Sequence, residues 1–170
     1  MSLHADVMQM KKMLANLDLW IEKAIAHAES KKFDANVLAG ARLAPDMYSF
    51  SRQVQSACDA AKFVAARLTG SQAPAHPDTE TTMTELRERC AKTIAFLDAI
   101  PAASFDGSDT REVVVPYLPG LYCLGADYMR EQAAPNFYFH VTTAYAILRH
   151  NGVDLGKRDL FGALTLHPAK

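Results

Sequence analysis

Apolar side chains recur at intervals of three and four residues through several long stretches of this chain. That spacing constrains the fold more than any other feature, because it gathers the apolar groups on one face of a helix. From Met8 to about Ala28 the stripe is Met10, Met13, Leu14, Leu17, Trp20, Ile21 and Ile25, with charges opposite. His27, seven residues after Trp20, falls at the rim. A second helix is expected from about Asp46 to Leu68, with Met47, Phe50, Val54, Ala57, Ala61, Val64 and Leu68 on one stripe and Gly70 as the stop. Its alanines, Ala57, Ala60, Ala61 and Ala65, let a neighbouring helix approach closely. Asp46 follows a proline and suits a cap, and with Gln53 it borders the apolar stripe. The third helix is expected from about Glu80 to Asp98, with Met83, Leu86, Cys90, Ile94 and Leu97 inward and the charges Glu85, Arg87, Glu88, Arg89 and Lys92 mostly on a solvated face.

The stretch Asn136 to Gly152 carries the last helix. Pro135 suits a first turn or a kink, and Arg149, His150, Asn151 and Gly152 supply a cationic last turn and a left-handed stop. At about 100° per residue, Tyr138, Thr142, Tyr145 and Arg149 share one side, opposite Asn136, His140, Thr143 and Ile147. Asp127 to Ala134 reads as a helical lead-in.

Between the third and last helices the spacing breaks. Val113-Val-Val115 and Leu121-Tyr-Cys-Leu124, around Leu118-Pro-Gly120, read as a short hairpin that must lie against helices. Asn36 to Ala44 suits a short helical turn, Ser71 to Thr79 a loop, and Val153, Leu155, Leu160 and Phe161 a cover for one end of the bundle. Four long helices and one hairpin make an all-α chain, a single helical-bundle domain over residues 1–170.

A net charge of −1, from 18 basic and 19 acidic residues, gives no field that would attract nucleic acid or an anionic membrane. No apolar run approaches the roughly 20 residues of a membrane span. Cys58, Cys90 and Cys123 are odd in number and far apart, which fits buried thiols in a reducing, cytoplasmic setting. There is no Walker loop, dinucleotide-binding glycine turn, Cys-x-x-Cys, His-Glu-x-x-His or Gly-x-Ser-x-Gly. What remains is Asn136, His140 and Thr143 at i, i+4 and i+7, placed to line one groove. A histidine there can bind metal, act as a general base, or hydrogen-bond a buried neighbour.

Pro45-Asp-Met47, the run Gln53 to Lys62, Asn136 to Gly152 and Gly156-Lys-Arg-Asp159 resemble the uncharacterised DUF1993 family over nearly the whole chain. That family is grouped with DinB/YfiT-like proteins. The resemblance implies a DinB-like four-helix bundle with a small β-hairpin before the last helix. Many such proteins hold a divalent metal, commonly zinc or nickel, through one histidine of the second helix and two of the last. Some transfer low-molecular-weight thiols to electrophiles, and some hydrolyse small amides. Setting Ala146 to Arg149 against the similar apolar stretch puts the second histidine of the family's His-x-x-x-His on His140 and the first on Asn136. The second-helix ligand falls near Gln53 or on Asp46.

Carboxamides are poor ligands for Zn²⁺ and Ni²⁺, so the triad is expected to be degenerate, with no cofactor. The expectation is a homodimer through an apolar helix face, with a polar pocket lined by Gln53, Asn136, His140, Asp46 and Thr143 that binds a small molecule or is vestigial. The rival is a transferase or hydrolase in which His140 is a ligand of a weakly bound zinc or nickel, or a general base, with Asp46 beside it. A third reading is a regulatory module acting through the tail.

Overall fold

The computed structural model describes residues 2–116 and 119–169. Four rods form a ring: α1 (Leu3–Lys31), α3 (Met83–Asp98), α2 (Phe50–Thr69) and α5 (Ala134–His150). α3 packs between α1 and α2, and α5 closes the ring against α2 and α1. The expected stripes form the shared core, with Leu14, Leu17, Trp20 and Ile21 of α1 meeting Phe50, Val54, Ala61 and Leu68 of α2, Leu86 and Cys90 of α3, and Phe137 and Ile147 of α5. Each fully buried large apolar side chain contributes about 1.5–3 kcal/mol.

Helix ends follow local chemistry more than apolar spacing. α1 starts earlier than expected and continues through Glu29-Ser-Lys31, because a polar exposed run ends the stripe without ending the helix. α2 begins at Phe50, not Asp46: the Ser49 side chain accepts from Arg52 N, and Gly70 at φ 76° ends the helix. α3 begins at Met83, where Thr82 and Glu85 form a capping box. Asn36 to Ala44 yields a 3-10 turn at Ala35–Gly40.

β1 (Glu112–Val114) pairs antiparallel with β2 (Tyr122–Leu124), Val113 opposite Cys123. Of the expected turn, Leu118 lies outside the described residues, and Gly120 has φ 80°. Gly125 lets this hairpin seat on the preceding loop, since a Cβ there would lie 1.9 Å from Ser108 O.

The lead-in to α5 is continuous but not uniform: α4 (Gly125–Asp127) runs into a π-helical segment, Tyr128–Ala133, and then into α5. Pro135 cannot donate to a carbonyl one turn back, and its ring crowds that carbonyl. The wider π turn just before it relieves both conflicts. After Gly152, Val153 and Leu155 are buried and Leu160 partly so. α6 (Lys157–Phe161) returns to α1, where Asp159 O accepts from Trp20 Nε1 at 3.1 Å and Leu160 O from Asn16 Nδ2 at 3.0 Å. Phe161, expected to cover the bundle, is 49% exposed, because these carbonyl bonds fix the helix with that ring turned outward. Among the described residues no helix is long and apolar enough to cross a membrane.

Candidate functional site

The α2–α5 contact brings together two side chains 87 positions apart: His140 Nδ1 lies 2.7 Å from Gln53 Oε1. Both are buried. A carboxamide oxygen only accepts, so Nδ1 carries the proton and Nε2 the lone pair. Nε2 has no hydrogen-bond partner among the described residues, yet it is not among their buried unpartnered atoms, so it reaches solvent. Tyr48 stacks nearly parallel to the imidazole, at 8° and 6.4 Å between centroids, and Phe139 meets it edge-on. Burial first, and then the nearby Arg52 guanidinium, hold the His140 pKa below the usual imidazole value. At neutral pH the ring is an uncharged donor–acceptor with its acceptor side open.

That side faces a cavity of about 240 Å³ between α2 and the π segment with α5. From α2 come Ser56, Asp59, Phe63 and Arg67, and from the other wall Tyr128, Gln132, Asn136 and His140, with Tyr48 at one end. Gln132 Oε1 is buried without a hydrogen-bond partner. Arg67 donates to Tyr128 Oη at 2.8 Å and lies over the Phe63 and Tyr128 rings. A larger cavity of about 490 Å³, lined by Leu3, Met10, Met129 and Tyr138 among others, lies between α1 and the π segment. It does not include His140, and its wall offers fewer convergent polar groups.

Behind Asp59 sits a buried ionic cluster. Arg89, expected on the solvated face of α3, is 1% exposed and pairs with Asp59 at 2.7 Å, Asp78 at 3.2 Å and Glu80 at 2.9 Å. The segment before α3 carries Asp78 and Glu80 over this face and turns the guanidinium inward. Lys62, 2% exposed, also holds Asp59 at 2.7 Å. Arg52 pairs with Asp78 and lies 5.6 Å from the Tyr48 ring, joining this cluster to the mouth of the groove. His76 Nδ1 is buried there without a partner, and burial, then Lys62 and Arg89, depress its pKa.

Of the residues expected from the sequence, Gln53 and His140 meet, and Asn136, exposed, lines the groove one turn away. Thr143 is buried, but its hydroxyl is spent on Phe139 O at 2.7 Å. Asp46 is exposed in the turn before α2, so its expected place on the helix wheel is lost, and it is not among the lining residues. Arg67, Phe63 and Ser56 were legible as the continuation of the Gln53 face at three- and four-residue steps. Gln132 and Tyr128 were not, because the π segment shifts their phase. Among the described residues, no three of His, Cys, Asp and Glu come together as a metal site.

A family model described as "Domain of unknown function (DUF1993)" matches residues 3–161. A crystal structure of a DinB family member protein from Shewanella denitrificans is 47% identical, with a TM-score of 0.92, over 96% of this chain and 93% of that one. No curated protein matches.

Proposed function

We propose, for a chain that belongs to the DUF1993 family, that the groove between α2 and α5 is a metal-free binding site for a small molecule. The observation that carries this reading is the His140–Gln53 bond, which fixes one tautomer of a neutral imidazole and leaves Nε2 open to the groove. The residues do not fit the metal implied by the DinB resemblance. Zinc sites take three or four imidazole, thiolate or carboxylate donors; with Gln53 at the second-helix position His140 is the one such donor of the three, and the alternative, Asp46, is exposed in the turn before α2 and does not line the groove. Gln53 serves instead as the orienting partner of that ring, and its oxygen is already engaged. A cavity with hydrogen-bonding groups beside aromatic walls suits recognition of a compact polar molecule.

The test is elemental analysis of untagged protein, together with the His140 ring-proton signals followed by NMR against a set of monocyclic fragments. Metal content well below one ion per chain, unchanged in His140→Ala, with fragments that move the ring signals, is the expected result. Near-stoichiometric metal lost in His140→Ala would overturn the reading, and signals unmoved by every fragment would make the pocket vestigial.

A second reading is favoured by the same tautomer: a neutral Nε2 is competent as a general base in amide hydrolysis or thiol transfer. It requires turnover of such substrates that disappears in His140→Gln while fragment binding persists. For the homodimer, large exposed apolar side chains gather on the hairpin and its linker, at Val114, Leu121, Tyr122 and Leu124, more than on any helix face. Light scattering at twice the 18.7 kDa chain mass is expected, and a monomer would remove this proposal.

A further inference from the structure

The two charges that α2 presents to the groove stand in opposite circumstances. Asp59 is held at 2.7 Å by both Lys62 and Arg89, so its charge is already neutralised. Arg67 has no carboxylate within ion-pairing distance among the described residues. Its guanidinium is steadied instead by the Phe63 ring at 5.3 Å, the Tyr128 ring at 5.8 Å and the Tyr128 hydroxyl. A guanidinium carries five N–H donors in a planar fork that matches a carboxylate edge. Here the fork is pre-oriented, half-buried and short of an anion. The π segment supplies the complementary lack, a buried carbonyl oxygen, Gln132 Oε1, with no donor. π segments are frequent at functional sites, and this one places Tyr128 and Gln132 in the same wall.

The geometry points to a small monocarboxylate bearing its own hydrogen-bond donor as the ligand of this groove. Its carboxylate lies on the Arg67 fork, its flat body lies against the Phe63 and Tyr128 rings that flank that fork, and a turn of the Gln132 carboxamide into the groove lets Oε1 accept from its hydroxyl or amide N–H. This inference rests on the small-molecule reading above and narrows it to a ligand class. The size agrees, since about 240 Å³ lies below the roughly 300–1,000 Å³ of sites for drug-sized ligands. Charge selects the monoanion. Arg67 is the one cation among the lining residues and His140 is neutral, so a phosphate dianion finds one countercharge where it needs two.

The full untagged chain is titrated calorimetrically with 4-hydroxybenzoate, its uncharged match 4-hydroxybenzamide, and inorganic phosphate, while the His140 ring signals are followed by NMR. The acid is expected to bind about tenfold or more tightly than the amide, as a charge-assisted bidentate pair requires, with phosphate weakest. Arg67→Gln should abolish the acid's advantage and leave the amide unchanged, and Arg67→Lys should restore it only in part. Equal binding of acid and amide, with the His140 signals moved, would keep the pocket and overturn the carboxylate assignment. Phosphate binding more tightly than the acid would overturn it too. Binding of neither organic probe, with unmoved His140 signals, would sink the ligand class and the small-molecule reading together. Because the acid–amide comparison uses the unaltered chain, an Arg67 variant that fails to fold does not remove the decision.

Discussion

Gln53→Leu should cost stability out of proportion to its small change in shape, and the loss should be largely recovered by a second substitution 87 residues away. Gln53 is 1% exposed and His140 9%, and the imidazole reaches solvent through Nε2 while its Nδ1 edge faces the buried carboxamide, so Nδ1 is left without a partner when Gln53 goes. Leucine nearly fills the glutamine volume and adds little cavity, so the main term is the stranded Nδ1–H. A buried donor left unpaired costs about 1–3 kcal/mol, and for a chain of this size about 2–4 °C of Tm accompanies each kcal/mol. The expected fall is therefore roughly 2–12 °C. His140→Leu strands the carboxamide instead and should cost a similar amount. The double variant replaces both partners by apolar groups, a change that can be nearly neutral. The assay is urea unfolding of all four chains at pH 7.5, with ring neutral in folded and unfolded states and the slope m checked for constancy. Coupling of about 2–6 kcal/mol, the sum of the two single losses, is expected. Costs that simply add, within about 0.5 kcal/mol, would mean that ring and carboxamide do not meet, and the tautomer argument would go with them.

Arg89→Met removes the shared cation of three carboxylates and should destabilise by about 3–5 kcal/mol, seen by scanning calorimetry. A loss under about 1 kcal/mol would place that side chain in solvent after all. His140 and His76 have folded pKa values below the ordinary imidazole value. The unfolded chain then takes up protons near pH 6.5 that the folded chain refuses. Stability should be intact above about pH 7.5 and decline as the pH falls through about 6.5 toward the folded pKa values, by at most about 1.4 kcal/mol per pH unit for each histidine. Urea titrations at pH 7.5 and 5.5 should show the decline and its weakening in His76→Gln and His140→Gln, whereas a gain on acidification contradicts the assignment. Gln53→His with Asn136→His should create a three-imidazole zinc site. Zinc at a hundredfold over its Kd would add about 2.7 kcal/mol, roughly 5–11 °C in Tm, and a folded double variant that takes up no zinc would show that the three positions do not converge.

The four rods were legible because apolar spacing reports burial directly, and the DUF1993 and DinB resemblance agrees with the comparisons. What spacing could not supply were the boundaries, which Ser49 and Thr82 set by capping, and the fate of Arg89. That arginine looks like any member of a solvated charge run until Asp78 and Glu80 arrive from the preceding segment. Of the candidate site, the meeting of His140 and Gln53 was legible, His140 by helix phase and Gln53 through the family resemblance. Arg67 carries no local mark of the role proposed for it, since the lack of a carboxylate partner among the described residues is a property of three dimensions. Thr143 had the right face, yet a hydroxyl in a helix can always spend itself on the carbonyl four residues back.

The wide turn at Tyr128–Ala133 and the proline behind it are a matched pair. A π turn takes up about one residue more than an α turn, so that surplus can be excised while both flanks keep their phase. Excision alone would thrust the Pro135 ring against a carbonyl. Excision together with Pro135→Ala would leave an ordinary straight rod, the imidazole still in place and the opposite bank of the groove erased. Under the proposed small-molecule reading, recognition and orientation are thus written on separate stretches of one helix, and a lineage could change what it holds without disturbing how it holds the ring.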